Sequence, residues 1–420
     1  MSVALPARAR ARGDLGARVA PLEYAIVAIV LFFAANAIVP SIFNPHADLG
    51  APVTNDPVSE PLRLTVLAFA LAMTVPFGAR MLLGLLRTPA LPVLVVLAIG
   101  SSLWSDAPSI SFAHAVDLAI STLFGAYVGA RFSLRQIAQV VSHVLLAILV
   151  ASIAFVLLRP ELGLDHAHDL VWRGAFITKN ELGRMMVFGA VVWAARVADR
   201  HVSAPAGAAA ALAFIGAALA SGSRTALALL IGISLLAVAV RLLGDRSRAR
   251  LAERGFALMA GLLAGAGAIA SLGFLLHIVG ADSSLTGRTG IWSASIDALR
   301  VHPWLGYGYD AFWRGLDGPS AAVWQAVHGT PPHSHNGFLD LSLGLGVLGL
   351  FVFAQGFVHA LVRARRAARA TQLRFPLAFI SVFLLYNLTE SSLVSRRSLE
   401  WTVFVAIAVA LSLRPGEQAR

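Results

Sequence analysis

Along most of its length this chain alternates long apolar blocks with short polar interruptions, and the block length carries the information. Each block runs roughly 17 to 25 residues, the length a helix needs to cross about 30 Å of hydrocarbon. Backbone polar groups in lipid must be satisfied within the segment, so such blocks are helices. Twelve spans are predicted, near 22–42, 62–79, 89–104, 113–130, 135–158, 182–198, 205–220, 224–243, 255–276, 338–361, 375–391 and 398–413. The strands of a membrane barrel would alternate with period two. The stretch Leu-Ala-Phe-Ala-Leu-Ala-Met at 67–73 alternates only in size, because both sets are apolar. The expected fold class is therefore all-α: a polytopic membrane protein with about twelve helices and one large loop between the ninth and tenth. Residues 1–276 carry helices one to nine, 277–337 the loop, and 338–420 helices ten to twelve. That is one membrane domain with an external cap.

Charge sets the orientation. With the N-terminus inside, twelve spans place 22 of the 33 basic residues in cytoplasmic segments, the positive-inside bias. Both termini are then expected in the cytoplasm. The net charge of +11 would suit nucleic acid, but the basic clusters at 241–254 and 363–374 contain no aromatic residue. Single-strand platforms need such residues for base stacking. The clusters read as topology signals and lipid-headgroup contacts, so no nucleic-acid partner is expected. A basic start, an apolar run and Ala35-Asn36-Ala37 imitate a signal peptide, but the apolar run continues, and an uncleaved first helix is expected. The chain has no cysteine, which excludes disulfides, thiolate catalysis and Cys-ligated metal.

The predicted outer segments 43–61, 159–181 and 277–337 are long and chemically varied. In the last, a helix is expected from Arg288 and should end at His302-Pro303. Residues 304–313 read as a turn with a surface aromatic cluster. The eleven basic residues outside the bias are Arg63, Arg159, Arg173, Lys179, Arg184, Arg224, Arg288, Arg300, Arg314, Arg396 and Arg397. Arg224 opens the eighth helix, and Arg184 lies one turn into the sixth, after Lys179-Asn180-Glu181. Guanidinium groups that converge suit a phosphate or diphosphate, because arginine binds those oxygens in pairs and keeps its charge. The alternative is snorkelling to headgroups, or pairing with Glu181, Asp282, Asp310 or Glu390.

Histidine supplies a second ingredient. The segment 331–337, Pro-Pro-His333-Ser-His335-Asn336-Gly, lies directly before the tenth span. A neutral imidazole there could take a proton from a sugar hydroxyl, and Asn336 could orient the imidazole or the substrate. A metal reading competes: His333 and His335 with His328 or His302 could form a three-His set, and His166 and His168 form a second pair. No HExxH-type element accompanies them. Trp304, Tyr307, Tyr309, Trp313 and Trp324 could stack on sugars or build the core of the cap. A transporter would need ionisable groups inside spans, where Asp117 and His143 are the main candidates.

Several motifs now combine. His335-Asn336 is followed by nine residues and then Gly346-Val-Leu-Gly349. Upstream stand Thr286-Gly287-Arg288 with Ile291-Trp292, Ser221-Gly-Ser-Arg224-Thr, Lys179-Asn180 within 176–183, and Leu305-Gly-Tyr-Gly308. In this set the chain resembles the O-antigen ligase and exopolysaccharide polymerase family of integral membrane glycosyltransferases. The 176–183 and 305–308 motifs are closest to its succinoglycan-type polymerases. The resemblance implies a C-type membrane glycosyltransferase fold in a bacterial inner membrane, with the active site on the periplasmic face. It implies metal-independent, inverting transfer without a cofactor. It sets out the partners: an undecaprenyl-diphosphate oligosaccharide donor, a sugar hydroxyl acceptor, the lipid bilayer and a chain-length regulator. Arg224 and Arg288, helped by Lys179 and Arg173, would hold the diphosphate, and His335 would deprotonate the acceptor. Asn180, Asn336 and Arg184 complete the expected substrate-binding set. Polymerisation of repeat units is expected over ligation to a lipid A core; the alternative of another class is a lipid or solute transporter.

Overall fold

The computed structural model describes residues 19–38, 42, 59–166, 170–243 and 284–413. The ninth expected span, 255–276, lies outside them, as do 43–58, the basic clusters at 8–18 and 246–254, Arg414, Arg420, Asp282 and His168. Helices fill most of the rest: α1 (Pro21–Ala34), α2 (Ser59–Leu86), α3 (Ala90–Gly100), α4 (Pro108–Arg131), α5 (Leu134–Leu158), α6 (Lys179–Ala198), α7 (Ala204–Ala220), α8 (Arg224–Leu243), α9 (Ser284–Val301), α10 (Ala321–Val327), α11 (Gly337–Thr371), α12 (Phe375–Tyr386) and α13 (Leu399–Ser412). A helix overlaps every expected span other than the ninth, although α1 stops at Ala34 within 22–42 and α12 at Tyr386 within 375–391. Among the described residues, those at 64–86, 108–131, 134–158 and 337–371 are long and apolar enough to cross a membrane by length and composition. Several others are apolar but shorter. The all-α expectation gains one small exception, a two-residue antiparallel ladder pairing Leu164 with Trp172 and Asp165 with Val171.

The centre of the bundle is α13. Nearly all of its residues are buried, as expected of a helix that is apolar all round. Ser398 caps it by accepting from the Trp401 N–H at 3.0 Å, and Trp401 donates its indole N–H to Thr122 on α4 at 3.0 Å. The two in-span transporter candidates are engaged within the bundle. Asp117 on α4 is buried and pairs with Arg397 at 2.9 Å, while His143 meets the Tyr24 hydroxyl at 2.9 Å.

Residues 284–336 form the cap. The predicted helix is present as α9 and stops at Val301, before His302-Pro303. The aromatic segment that follows differs from the surface cluster expected of it. Phe312 is buried against Ile291, Val323 and Leu343, with Tyr307 and Trp313 packed around them. Tyr307 donates to the Ala298 carbonyl at 2.8 Å. Trp304 alone among these stands out, 73% exposed. A small helical unit cannot close without a core of its own, and this segment supplies the largest apolar side chains available to it.

The cap docks on a break in α11. Gly346 sits at φ 66°, ψ −172° inside the helix, a conformation that a side chain at this position would oppose. The break frees main-chain groups that would otherwise bond within the helix. Tyr307 and Gly308 N–H donate to the Leu343 and Gly344 carbonyls at 2.8 and 3.0 Å, and Val347 N–H donates to the Pro303 carbonyl at 2.8 Å. A Cβ on Gly346 would collide with the Trp304 carbonyl. Gly306 and Gly308 also have positive φ, 67° and 101°, so both glycine motifs serve one backbone junction. Gly346→Ala should therefore lower the unfolding free energy by about 2 kcal/mol or more. Thermal unfolding in detergent, with proteolysis of 303–310 as a second readout, checks this.

Candidate functional site

Three helices begin at the cap end of the bundle within reach of one another. Thr178 caps α6: its hydroxyl accepts from the Glu181 N–H at 3.2 Å and Glu181 accepts from the Thr178 N–H at 3.3 Å, a capping box. One turn on, Gly183 lets the turn into α8 approach closely; a Cβ there would stand 2.8 Å from Ala226 and 2.9 Å from Ser223. That approach allows Ser223 to donate to Asn180 at 2.8 Å. Lys179, Asn180 and Arg224 thus occupy adjoining helix starts, with Arg224 exposed. The third start is α11, capped by Asn336, whose side-chain oxygen accepts from Phe338 and Leu339 N–H at 3.1 and 3.2 Å. Helix N-termini carry partial positive charge and unpaired N–H groups, which suits an anion.

Between these starts lies a relay centred on a residue that the sequence offered only as an ion-pair partner. Glu390, in the connection from α12 to α13, is 4% exposed. One of its oxygens accepts from Arg288 at 2.9 Å and the other faces His335 Nδ1 at 3.1 Å. Arg288 also donates to the Thr389 carbonyl at 2.8 Å and lies 3.5 Å from the Thr225 hydroxyl. Thr225 adjoins Arg224. Arg288, Glu390 and His335 are therefore in direct contact, with Arg224 one residue from that contact.

The tautomer of His335 follows from its partner. An ionised carboxylate can only accept, so Nδ1 carries the hydrogen towards Glu390, and in the neutral ring the lone pair is then on Nε2. Burial alone would raise the Glu390 carboxyl, but the bond from His335 and the charge of Arg288 outweigh it and hold the group at about 2. The histidine loop is fixed from several sides. The main chain at His335 has φ 54°, and its N–H donates to His333 Nδ1 at 3.1 Å. Trp292 donates to the Ser334 carbonyl at 2.8 Å. Asp340 accepts from the Ser334 N–H at 3.1 Å and from the Trp313 indole at 2.8 Å.

Other candidates stand apart from this relay. Arg173 donates to the carbonyls of Leu162 and Ile177 at 2.9 and 3.4 Å and so closes the segment 160–177. Arg184 lies in the bundle, bound to Glu400 at 3.2 Å and to the Tyr386 hydroxyl at 3.0 Å. These engagements hold α6 against α12 and α13. The proposed three-His arrangement is not the one formed: His302 packs on Tyr307 with ring centres 4.7 Å apart, and His328 is exposed at the end of α10. Instead His333, His335 and Glu390 bring one ligand-capable atom each within 4.8 Å of the others. Arg288 on the same carboxylate already supplies a compensating positive charge there.

Acidification should loosen this site in a defined order. Burial and the nearby His335 push the His333 imidazole down from 6.5 to about 3. A histidine held neutral in the fold contributes stability above its unfolded value, lost as pH falls below it. Glu390 contributes in the same direction, but only between its ordinary 4.5 and about 2. The unfolding temperature should therefore fall from pH 6.5 towards pH 5, and His333→Gln should make that slope shallower. Parallel slopes for the two proteins would contradict this.

Residues 209–354 match the family model described as O-Antigen ligase, a stretch that includes Arg224, Arg288, His335 and Gly346. The exopolysaccharide production protein ExoQ of Rhizobium meliloti (strain 1021) aligns with the chain over 213 residues at 30% identity. That alignment covers 47% of this chain and 47% of ExoQ, so the chain spans about half the length of the curated relative it matches.

Proposed function

From the match of residues 209–354 to the O-antigen ligase family and the similarity to the exopolysaccharide production protein ExoQ, we propose that the chain is a membrane glycosyltransferase acting on a lipid-linked glycan. The observation that carries the reading is the contact relay Arg288–Glu390–His335 beside the convergent helix starts. The donor is an oligosaccharide on undecaprenyl diphosphate, presented at the periplasmic face of the bacterial inner membrane. Arg224, Arg288 and Lys179 hold the diphosphate. Three bonds from Arg288 are committed within the protein, and a guanidinium has five N–H donors, so donors remain for the substrate.

The chemistry follows from the tautomer. His335 Nε2 takes the proton of the acceptor hydroxyl as its oxygen bonds to the anomeric carbon. The bond from that carbon to the diphosphate breaks, and the leaving lipid diphosphate keeps the electron pair. One displacement inverts the anomeric centre. Glu390 keeps the imidazole in register and stabilises the imidazolium as it forms, while the arginines and helix N-termini stabilise the growing phosphate charge. In this scheme a divalent metal has no task that Arg224, Arg288 and Lys179 do not perform.

Polymerisation of repeat units is preferred to ligation onto a lipid A core; the similarity to ExoQ, an exopolysaccharide production protein, and the Lys179-Asn180 motif support that choice. A chain-length regulator would act on this activity. Transport is disfavoured because the in-span carboxylates Asp117 and Glu400 are neutralised, by Arg397 at 2.9 Å and by Arg184 at 3.2 Å.

The test uses purified protein in nanodiscs with undecaprenyl-diphosphate oligosaccharide and excess EDTA, followed by gel and mass spectrometry. A glycan ladder is expected from wild type. His335→Ala should lower the rate by about 10³-fold and Arg288→Ala by about 100-fold. Equal product from all three proteins contradicts the site, loss of product with EDTA contradicts metal independence, and a single transferred glycan without a ladder selects ligation.

A further inference from the structure

Beyond the reacting groups, we propose that a cavity behind His333 is a second acceptor subsite, holding the sugar adjacent to the one whose hydroxyl attacks. The proposal rests on the glycosyl-transfer reading above. The cavity, about 270 Å³, lies between the cap, the first turn of α11 and the connection from α12 to α13; Tyr309, Trp313, His333, Asp340, Ser395 and Arg396 line it. Ligand pockets begin at roughly 300 Å³, so this one suits a single ring and not a longer glycan.

Its lining has the chemistry of pyranose recognition. A sugar ring offers an apolar C–H face and an edge of hydroxyl donors. Trp313 supplies a flat aromatic wall, fixed by its bond to Asp340 at 2.8 Å and by edge-on packing against Phe312 with ring centres 5.0 Å apart. A wall already fixed loses little freedom when a ring stacks on it. Carboxylate and hydroxyl oxygens of Asp340 and Ser395 can accept from sugar hydroxyls. Arg396 does not make the cavity an anion site, because its charge is shared with Asp310 at 2.7 Å and Asp117 at 3.8 Å. Arg396 and His114 hold the Asp310 carboxyl below the usual carboxylate range. The ligand expected here is therefore a neutral sugar.

Position assigns it to the acceptor. The contacts run from Arg288 through Glu390 to His335, and then to His333, whose ring centre is 4.1 Å from that of His335. The cavity lies at the His333 end of this series and the arginine at the other. Direct displacement puts the acceptor opposite the leaving diphosphate, hence on the cavity's side. His333 lines the cavity and His335 does not, so the occupant sits one ring beyond the reacting hydroxyl.

The experiment uses the full chain in nanodiscs with the lipid-linked donor. Two acceptors are compared, the methyl glycosides of the terminal monosaccharide and disaccharide of the donor's own repeat. Wild type should prefer the disaccharide in kcat/KM. Trp313→Ala should lower that preference by about tenfold, equivalent to about 1.4 kcal/mol, while Trp313→Phe keeps most of it. Ser395→Phe, which fills the cavity from another wall, should give the same loss and decides the matter should Trp313→Ala fail to fold. General damage to the His335 loop lowers both rates alike and leaves the ratio in place. An unchanged ratio in Ser395→Phe, or a wild type without preference, overturns the subsite while the transferase reading stands. Transfer to neither acceptor overturns that reading and the subsite together.

Discussion

A carboxylate removed from water stays ionised only where donors and positive charge replace its hydration, and Glu390 meets that requirement with two partners from different parts of the chain. Arg288 comes from α9 in the cap, and His335 from the loop that enters α11. Thr225, at the start of α8, lies 3.5 Å from the same carboxylate. The bond therefore does two things at once. It ties the cap and two helix starts to the connection at 387–398, and it fixes which imidazole nitrogen is available for chemistry. Removing one member leaves a buried charge without its counterpart, the costly case for internal ion pairs.

The cap can deliver Arg288 and the histidine loop to Glu390 because it is anchored at a second place. At Gly346 the helix α11 opens, and main-chain groups of 303–308 bond where helical bonds would have been. Asp340, in the first turn of α11, reaches back to Ser334 and Trp313. Asp310 is held by Arg396 and His114, and Arg396 and Arg397 both reach Asp117 in α4. The site is thus clamped between a backbone junction and a charge network, and both lie outside the residues proposed to hold the diphosphate.

Much of the architecture was legible in the sequence, since the lengths of apolar blocks locate helices without any knowledge of packing. Run length says nothing about where a helix breaks, so 338–361 read as one continuous span. The break at Gly346 depends on a partner segment 40 residues earlier. Arg288 and His335 were legible as chemistry that a lipid-facing helix would not retain. Glu390 was not, because a single acidic residue after a span looks like any ion-pair partner. Its surroundings held a clue: the connection 387–398 carries one carboxylate beside two arginines. Arg173 and Arg184 show the converse, since charge at the mouth of a bundle can serve carbonyl groups and buried acids as readily as a substrate.

The central claim is that Glu390 and His335 act as one unit, and a double-mutant cycle on the glycan-transfer rate tests it most directly. Glu390→Gln, His335→Asn and the double variant would be measured under one saturating donor concentration. Residues that act together give strongly non-additive losses. The account predicts that the double variant is no slower than His335→Asn alone, because a carboxylate without its imidazole has nothing left to orient. A double variant whose loss equals the product of the two single losses would mean that Glu390 and His335 contribute independently, and would contradict the account.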